Sequence, residues 1–416
     1  MQTVRLDEGL YHTTAENGVT VLSEVLPGVR SVAVGMWVRR ASAHEEPATM
    51  GVSHLLEHMV FKGTERRSSR DIALELEARG GALDAYTSRD HTSYQARVLD
   101  EDLPRALDVL TDLVRNPALR ESDVRLERKV VLEEISTVED TPDDLVFDLH
   151  AGALWPEHPY GFPILGTRET VGRLGAEDLR CLHAQAYHPR HVVIAAAGSL
   201  HHDVLLKLLA KCGWYTFDAG PEPVAVPPVP PGTRGERHVA RDSAQTHIVM
   251  GTDTFPYTDR RRYALLLITT VLGGGMSSRL FQRVREELGL AYAVHTFQSF
   301  YQQSGVTGVY VGTHPSTAQQ AVDAIQDELA RMAREGLRGP SLAESAQQLK
   351  GQVTLSLETP VARMYRLATV AVYDEPYRTI DQVLAEIDRV REDDVLGVAG
   401  EFFAPERLTT VWLGPN

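Results

Sequence analysis

Two histidines and a glutamate stand close together in the first part of this chain of 416 residues. His54, Glu57 and His58 form an H-x-x-E-H spacing within the segment GVSHLLEHMVFKGT. On a helix, positions i and i+4 lie one turn apart on the same face, so both imidazoles can bind one ion while Glu57 projects beside them. Two imidazoles and a neighbouring carboxylate supply metal ligands and a proton acceptor, which is the chemistry of a zinc hydrolase.

A third ligand is expected from a second segment with helical periodicity, residues 122–135. Glu127 and Glu134 lie two turns apart on one of its faces, whereas Glu133 points about 100° away and is interpreted as a solvated or ion-paired residue. A structural zinc site usually has four protein ligands, often cysteines, but a catalytic site has three and leaves the fourth position to water. The chain has only two cysteines. The pattern therefore predicts a catalytic zinc site.

Both segments also have a purely structural interpretation. Leu55, Leu56 and Met59 could form the apolar face of a core helix whose histidines are hydrogen-bonded and free of metal. The second segment could be an ordinary charged helix. Polar and glycine residues before His54, and the sequence Lys-Gly-Thr after the apolar run, indicate that the first helix is short and well bounded. The two segments together favour the metal interpretation.

Residues 51–64 and 127–135 resemble the pitrilysin or insulinase family (M16) of zinc peptidases. The likeness is greatest to the bacterial single-chain members of the processing-peptidase type, and it runs along essentially the whole chain. The resemblance implies a metalloendopeptidase that hydrolyses peptides, or unfolded and presequence-like segments, in an enclosed chamber. It also implies a homodimer, or a heterodimer with a related subunit.

Five residues receive roles from this resemblance. His54, His58 and Glu134 would hold one Zn²⁺ per chain. Glu57 would accept a proton from the attacking water and deliver it to the leaving amine. Glu127 would support catalysis without binding the metal directly.

A further segment resembles the family's edge strand beside the metal. Asp84, Ala85 and Tyr86 lie in it, and a peptide substrate would add to this edge as an extra β-strand, held mainly by main-chain hydrogen bonds. The family usually has Asn where this chain has Asp84. The added negative charge has two interpretations, a preference for basic substrates or a cap on a turn.

A glycine-rich run also matches the family. Gly273, Gly274 and Gly275 lack the spaced glycines and the Lys-Ser/Thr ending of a phosphate-binding loop, which argues against nucleotide binding. The resemblance implies that this loop binds substrate. A comparable loop of the processing peptidase lies on its metal-free subunit, and in another member of the family an Arg and a Tyr seven residues later contact the peptide at the cleavage site. Arg285 and Tyr292 have that spacing.

The proline distribution predicts two domains. Residues 220–235 contain six of the 22 prolines, so this stretch is expected to be an extended linker. It separates a metal-bearing domain, residues 1–219, from a second domain, residues 236–416. The fold class expected for both is α+β, with an antiparallel-rich β-sheet covered by helices.

The two halves also show signs of duplication. Nine pairs of similar residues recur at a constant offset, for example Pro189 with Pro405, 216 positions later. In a looser register, Gln348 and Leu355 of the second half occupy the positions that correspond to Glu127 and Glu134. The second domain is therefore expected to share the fold and to lack the metal.

Composition excludes several classes of function. The formal net charge of −15 argues against nucleic acid as a partner and is compatible with attraction of basic peptides. No signal-peptide core and no run of 18 apolar residues is present in the sequence, so a membrane association is not expected. With two cysteines, the cytoplasm is the default location, and unconventional export is the alternative.

Two other functions remain open at this point. The chain could be a non-catalytic assembly subunit, or one subunit of a peptidase whose partner is separately encoded. Such subunits typically lose parts of the zinc motif, whereas this chain keeps all of it. The intact motif favours the enzyme.

Overall fold

A computed structural model describes residues 1–415. The chain forms two compact units. Unit 1 contains Met1–Ile135, Pro163–Pro227 and Ser356–Tyr377. Unit 2 contains Ser136–Phe162, Pro228–Leu355 and the C-terminal segment from Arg378.

Unit 1 is built on a seven-stranded sheet with the order β1-β2-β3-β7-β4-β6-β5. Strands β3 and β7 pair in parallel, and the other neighbours are antiparallel. The strands are β1 (Gln2–Asp7), β2 (Leu10–Thr14), β3 (Thr20–Val25), β4 (Ser31–Val38), β5 (Ala82–Thr87), β6 (Thr92–Leu99) and β7 (Val192–Gly198).

Helices cover both faces of this sheet, as the alternation along β4 shows. Val34 and Met36 belong to the larger core on one face, whereas Ala33 and Trp37 pack on the other face against Met364. Successive side chains of a strand point to opposite faces, so a strand buried on both sides is apolar throughout. The helices are α1 (Val52–Val60), α2 (Ser69–Glu77), α3 (Leu103–Arg115), α4 (Glu121–Glu139, in unit 1 up to Ile135), α6 (Arg168–Arg173), α7 (Ala176–Ala186), α8 (His202–Lys211) and α12 (Pro360–Val372).

Unit 2 has a five-stranded sheet with the order β10-β11-β9-β12-β8, in which only the β12–β8 pair is parallel among the described residues. Its strands are β8 (Gly235–Ala240), β9 (Thr246–Thr254), β10 (Ala291–Phe300), β11 (Gly305–Thr313) and β12 (Thr409–Gly414). Its helices are α5 (Pro142–Leu154), α9 (Arg262–Gly273), α10 (Ala318–Glu335), α11 (Pro340–Ser356, in unit 2 up to Leu355), α13 (Ile380–Asp388) and α14 (Glu392–Phe402).

The predicted α+β class and the duplication of an antiparallel-rich sheet covered by helices are confirmed. Helices α7 and α14 each contain 11 residues and begin at Ala176 and Glu392, which are 392 − 176 = 216 positions apart. The segment Glu222–Arg234 has neither helix nor strand. Gly235, the last residue of the predicted linker, is the first residue of β8.

The two units do not follow the predicted boundaries 1–219 and 236–416, because each contains a helix from the other half of the sequence. Helix α5 lies in the first half of the sequence, yet Val146 packs in a cluster of unit 2 with Val249 and Val411. Helix α12 lies in the second half, yet it packs on the sheet of unit 1. Both helices have 13 residues and begin with a proline after a threonine cap position. The two copies therefore exchange the same helix.

Candidate metal centre and active site

Helix α1, which carries the H-x-x-E-H residues, begins at a tightly constrained turn. Gly51 has a φ of 88°, a left-handed conformation that favours glycine. The buried Glu45 carboxylate accepts hydrogen bonds from the N–H groups of Gly51, at 2.8 Å, and Ser53, at 2.9 Å. These N–H groups have no partner within the helix, so Glu45 stabilises its start.

Burial of the apolar face of α1 fixes the direction of its histidines. Leu55, Leu56 and Met59 are fully buried in the core of unit 1. The side chains of His54 and His58 lie on another face and are 12% and 17% exposed. The helix therefore combines both sequence interpretations, with an apolar core face and two histidines held at the edge of the core.

Helix α4 brings Glu134 to these histidines. Glu134 Oε2 lies 3.7 Å from His54 Nε2 and 3.5 Å from His58 Nε2. The three ligand atoms lie within 4.8 Å of one another, and among residues 1–415 this is the one group of at least three such residues that can hold a metal ion. Tetrahedral ligands with Zn–N bonds of about 2.0–2.1 Å are separated by about 3.3 Å, so the cluster fits zinc. Burial lowers the pKa of His54 to about 3, which keeps its imidazole in the neutral form that binds metal.

Glu127 lies on α4, as Glu134 does, and contacts the other ring nitrogen of His58. Its Oε1 is 2.9 Å from His58 Nδ1, and its Oε2 is 2.7 Å from Lys62 Nζ. Burial would raise the pKa of Glu127, but the hydrogen bonds from His58 and Lys62 outweigh it and lower that pKa. The ionised carboxylate accepts the Nδ1 proton of His58 and leaves Nε2 facing Glu134, the arrangement of a carboxylate–histidine–zinc triad.

Glu57 lies between the two histidines in sequence and is 9% exposed. Its Oε2 accepts a hydrogen bond of 2.6 Å from the hydroxyl of Thr87, at the end of β5. Burial raises the pKa of Glu57, and the bond from Thr87 offsets part of that rise. A carboxylate with a raised pKa is better suited to accept a proton at neutral pH than a solvated one.

Comparison with known proteins places this cluster in a family. Residues 20–168 match the model of insulinase (peptidase family M16), and residues 173–349 match the peptidase M16 inactive domain. An uncharacterized zinc protease of Streptomyces coelicolor is 39% identical over 97% of this chain and 89% of its own length. The chain belongs to peptidase family M16. The uncharacterized zinc protease YmxG of Bacillus subtilis is another relative of this M16 peptidase, 38% identical over 94% of this chain and 95% of that protein.

Two solved structures share the fold. A peptidase M16 inactive domain protein from Pseudomonas fluorescens has a TM-score of 0.91 at 20% identity, with 98% of both chains covered. A protease from Helicobacter pylori has a TM-score of 0.89 at 20% identity, with 98% of this chain and 99% of that chain covered. Family M16 consists of hydrolases that act on peptide bonds, and zinc is named in the relatives of this M16 peptidase.

The predicted peptide-binding residues of this M16 peptidase lie in β5, which is the last strand of its sheet. Asp84 is exposed and is paired in register with Gln95 of β6. Its carboxylate accepts hydrogen bonds from the N–H of Ala85, at 2.9 Å, and from the Gln95 amide, at 3.2 Å. Asp84 therefore lies within the strand and does not cap a turn. Tyr86 Oη lies 2.9 Å from His91 Nε2.

Arg285 and Tyr292 are brought together in unit 2. The Arg285 guanidinium carbon lies 4.5 Å from the ring centre of Tyr292 and 4.6 Å from that of Phe281. Phe281–Glu287 is a π-helical turn, a rare structure that is often found at functional sites. Tyr292 is 76% exposed, so the pair is available to a ligand. Its action at the metal cluster of unit 1 stays a prediction.

Two of the three predicted loop glycines have a packing role. A Cβ on Gly273 would collide with the backbone nitrogen of Thr296, and one on Gly274 would lie 2.7 Å from the Thr270 oxygen. Gly275 has no heavy atom within 4 Å of the same position. Packing of α9 against β10 therefore explains Gly273, and the tight turn at the end of α9 explains Gly274. A peptide contact at the loop stays a prediction.

Sequence reasoning did not find the partners of the central residues. Glu45 accepts hydrogen bonds at the start of α1, Lys62 pairs with Glu127, and Thr87 donates to Glu57. Thr87 was detectable in part, because the period of two along β5 places it on the same face as Ala85, which packs on the core. The other two contacts depend on tertiary structure.

We predict that Glu127→Gln lowers zinc affinity or turnover by about 10 to 100-fold while the cluster survives. The neutral amide of Gln cannot form an ion pair with Lys62, and it orients the His58 ring less firmly. Zinc content and steady-state kinetics measure the effect, with Glu133→Gln, an exposed position on the same helix, as control. Complete loss of zinc from a folded Glu127→Gln protein would make Glu127 a direct ligand.

Proposed function

We propose that this chain is a zinc-dependent endopeptidase that cleaves peptides and unfolded or presequence-like segments in an enclosed chamber. The observation that carries the proposal is the convergence of His54, His58 and Glu134, with Glu57 next to them on α1. Three protein ligands leave a coordination position for water or substrate, which distinguishes a catalytic zinc site from a structural one.

The chain's own residues then perform the proton transfers. When bound, zinc supplies Lewis acidity, which makes water more acidic and polarises the scissile carbonyl. Glu57 accepts the proton of the attacking water and returns it to the leaving amine. Thr87 already donates to Oε2 of Glu57, which favours Oε1 as the oxygen that takes up that proton.

The edge strand β5 supports the binding of an extended peptide. A peptide that pairs with β5 would obtain affinity from main-chain hydrogen bonds, with selectivity from side-chain contacts around Asp84, Ala85 and Tyr86. The Asp84 carboxylate accepts a hydrogen bond from the N–H of Ala85. A peptide carbonyl that pairs with this N–H must therefore displace the carboxylate. The displaced carboxylate would then be free to attract a basic substrate side chain.

The intact cluster also bears on the two other functions. A non-catalytic assembly subunit has no need of three converging ligands with a buried glutamate beside them. A subunit that depends on the metal site of a separate chain has no need of them either. The geometry therefore favours a catalytic chain over both. The free cysteines Cys181 and Cys212 are consistent with the cytoplasm as the proposed location.

The proposed activity is tested with purified protein and a library of quenched peptides. Cleavage inside the peptides is expected, and a chelator should stop it. A fluorescence increase that is indifferent to the chelator, or the absence of cleavage from zinc-loaded protein with every peptide, would contradict the proposal. The cleavage sites also define the substrate preference.

We further propose a homodimer in which Arg285 and Tyr292 of one chain act at the metal site of the other. The stacked Arg–Tyr pair supports this proposal, because its tyrosine is exposed and can contact a ligand. Two-fold symmetry would then give two equivalent chambers, each completed by residues of both chains.

Mixing two inactive variants tests the arrangement. Glu57→Gln protein and Arg285→Ala/Tyr292→Phe protein are combined under conditions of subunit exchange. In a mixed dimer one chamber carries both defects and the other carries neither, so activity should return toward about a quarter of wild type at equal mixing. If exchange is demonstrated by labelled subunits and activity stays absent, the residues do not act in trans.

A further inference from the structure

Thr87 connects the edge strand of unit 1 to Glu57. It is the last residue of β5, and its Oγ1 donates to Glu57 Oε2 at 2.6 Å. The same Oγ1 lies 3.5 Å from Oγ1 of Thr92, its cross-strand partner on β6. Thr92 is fully buried.

The direction of these hydrogen bonds follows from the number of protons. A threonine hydroxyl has one proton to donate and lone pairs to accept with. The carboxylate of Glu57 can only accept, so the proton of Thr87 points to Glu57. Thr92 can then only donate to Thr87, and the two threonines form a short chain that ends on Oε2 of Glu57.

The backbone makes this contact rigid. A β-branched side chain in a strand has restricted rotation about χ1, and the pairing of Thr87 with Thr92 fixes the strand on one side. Glu57, by contrast, has a long side chain with three rotatable bonds. A short hydrogen bond from a fixed donor therefore limits the orientations of a flexible acceptor.

We propose that Thr87 is a positioning residue that fixes the rotation of the Glu57 carboxylate and leaves Oε1 aimed at the attacking water. This inference rests on the proposed function. Because Thr87 belongs to β5, the strand that we propose pairs with the peptide also holds the base. Substrate and base are thereby aligned by one element.

The decisive variant is Thr87→Val, which keeps the shape and the β-branch but removes the donor. We expect kcat to fall by about 10 to 100-fold, the cost typical of losing a group that orients a functional residue. KM should stay within about twofold, because the contact is used in the reaction and not in peptide binding. Thr87→Ser restores the hydroxyl and should recover most of the activity.

Matched measurements separate positioning from folding. Thr14→Val makes the same substitution at the exposed last residue of β2 in the same sheet, and it should behave as wild type. Zinc content and the midpoint of thermal unfolding of Thr87→Val should also match wild type. A fall in activity that is accompanied by loss of zinc or by unfolding, and that is not rescued by Thr87→Ser, would overturn the inference in favour of a structural role.

The inference and the proposed function fail in different ways. If wild type cleaves peptides and Glu57→Gln does not, but Thr87→Val keeps a wild-type kcat, only the role of Thr87 is wrong. If zinc-loaded wild type cleaves no peptide, the proposed function itself is wrong.

Discussion

Replacing Glu57 by Gln is expected to leave zinc bound and to reduce peptide cleavage by at least about 100 to 10,000-fold. Gln has nearly the shape of Glu and can still accept the hydrogen bond from Thr87, but it cannot take up a proton at neutral pH. The proposed metal ligands are His54, His58 and Glu134, so metal binding should persist. Elemental analysis and initial rates on the same preparation measure both quantities.

Glu133→Gln is the matched control for this experiment. Glu133 is exposed next to the proposed ligand Glu134, so its substitution changes the local charge equally and should leave the rate near wild type. Near wild-type turnover by zinc-loaded Glu57→Gln would show that another group accepts the proton, and the assigned base would be wrong.

His58→Ala and Glu134→Ala are expected to remove zinc and activity together. Each deletes one of three converging ligand atoms. The loss of zinc affinity should exceed the factor of about 10 to 100 that is typical of groups outside the coordination sphere. Since a metal that binds only the folded state stabilises it, added zinc should raise the thermal midpoint of wild type and not that of either variant.

His201→Ala serves as control, because His201 is exposed at the start of α8 and has no part in the cluster. Retention of one zinc per chain by folded His58→Ala or Glu134→Ala would refute the proposed coordination. Loss of activity with zinc retained would instead make the substituted residue a catalytic group.

Each half of the candidate metal cluster was predictable because it depends on short-range helix geometry. The spacing of His54 and His58 places both on one face of α1, and the spacing of Glu127 and Glu134 does the same on α4. Local runs of β-branched and apolar residues likewise mark strands β3, β4, β9 and β11. That the two helices meet was implied by the family resemblance and was not contained in either spacing.

The exchange of α5 and α12 between the two copies was not predictable in the same way. An amphipathic pattern shows which face of a helix is apolar, but it does not show which sheet that face covers. Proline at the start of each helix marks where the helix begins and does not show which sheet the helix packs on. The hydrogen bond from Thr87 to Glu57 could not be predicted for a similar reason. Alternation along β5 predicts the face of the sheet on which Thr87 lies, but not the residue that it contacts.

The central claim, that one zinc ion at His54, His58 and Glu134 makes this chain a peptidase, is tested most directly by titration. Metal-free protein is prepared by chelation and dialysis, zinc is added in steps, and bound zinc and the rate of peptide cleavage are measured in each sample. The rate should rise from near zero in proportion to bound zinc and level off at one ion per chain. Full activity in the metal-free protein, or no activity at one bound zinc per chain, would contradict the account.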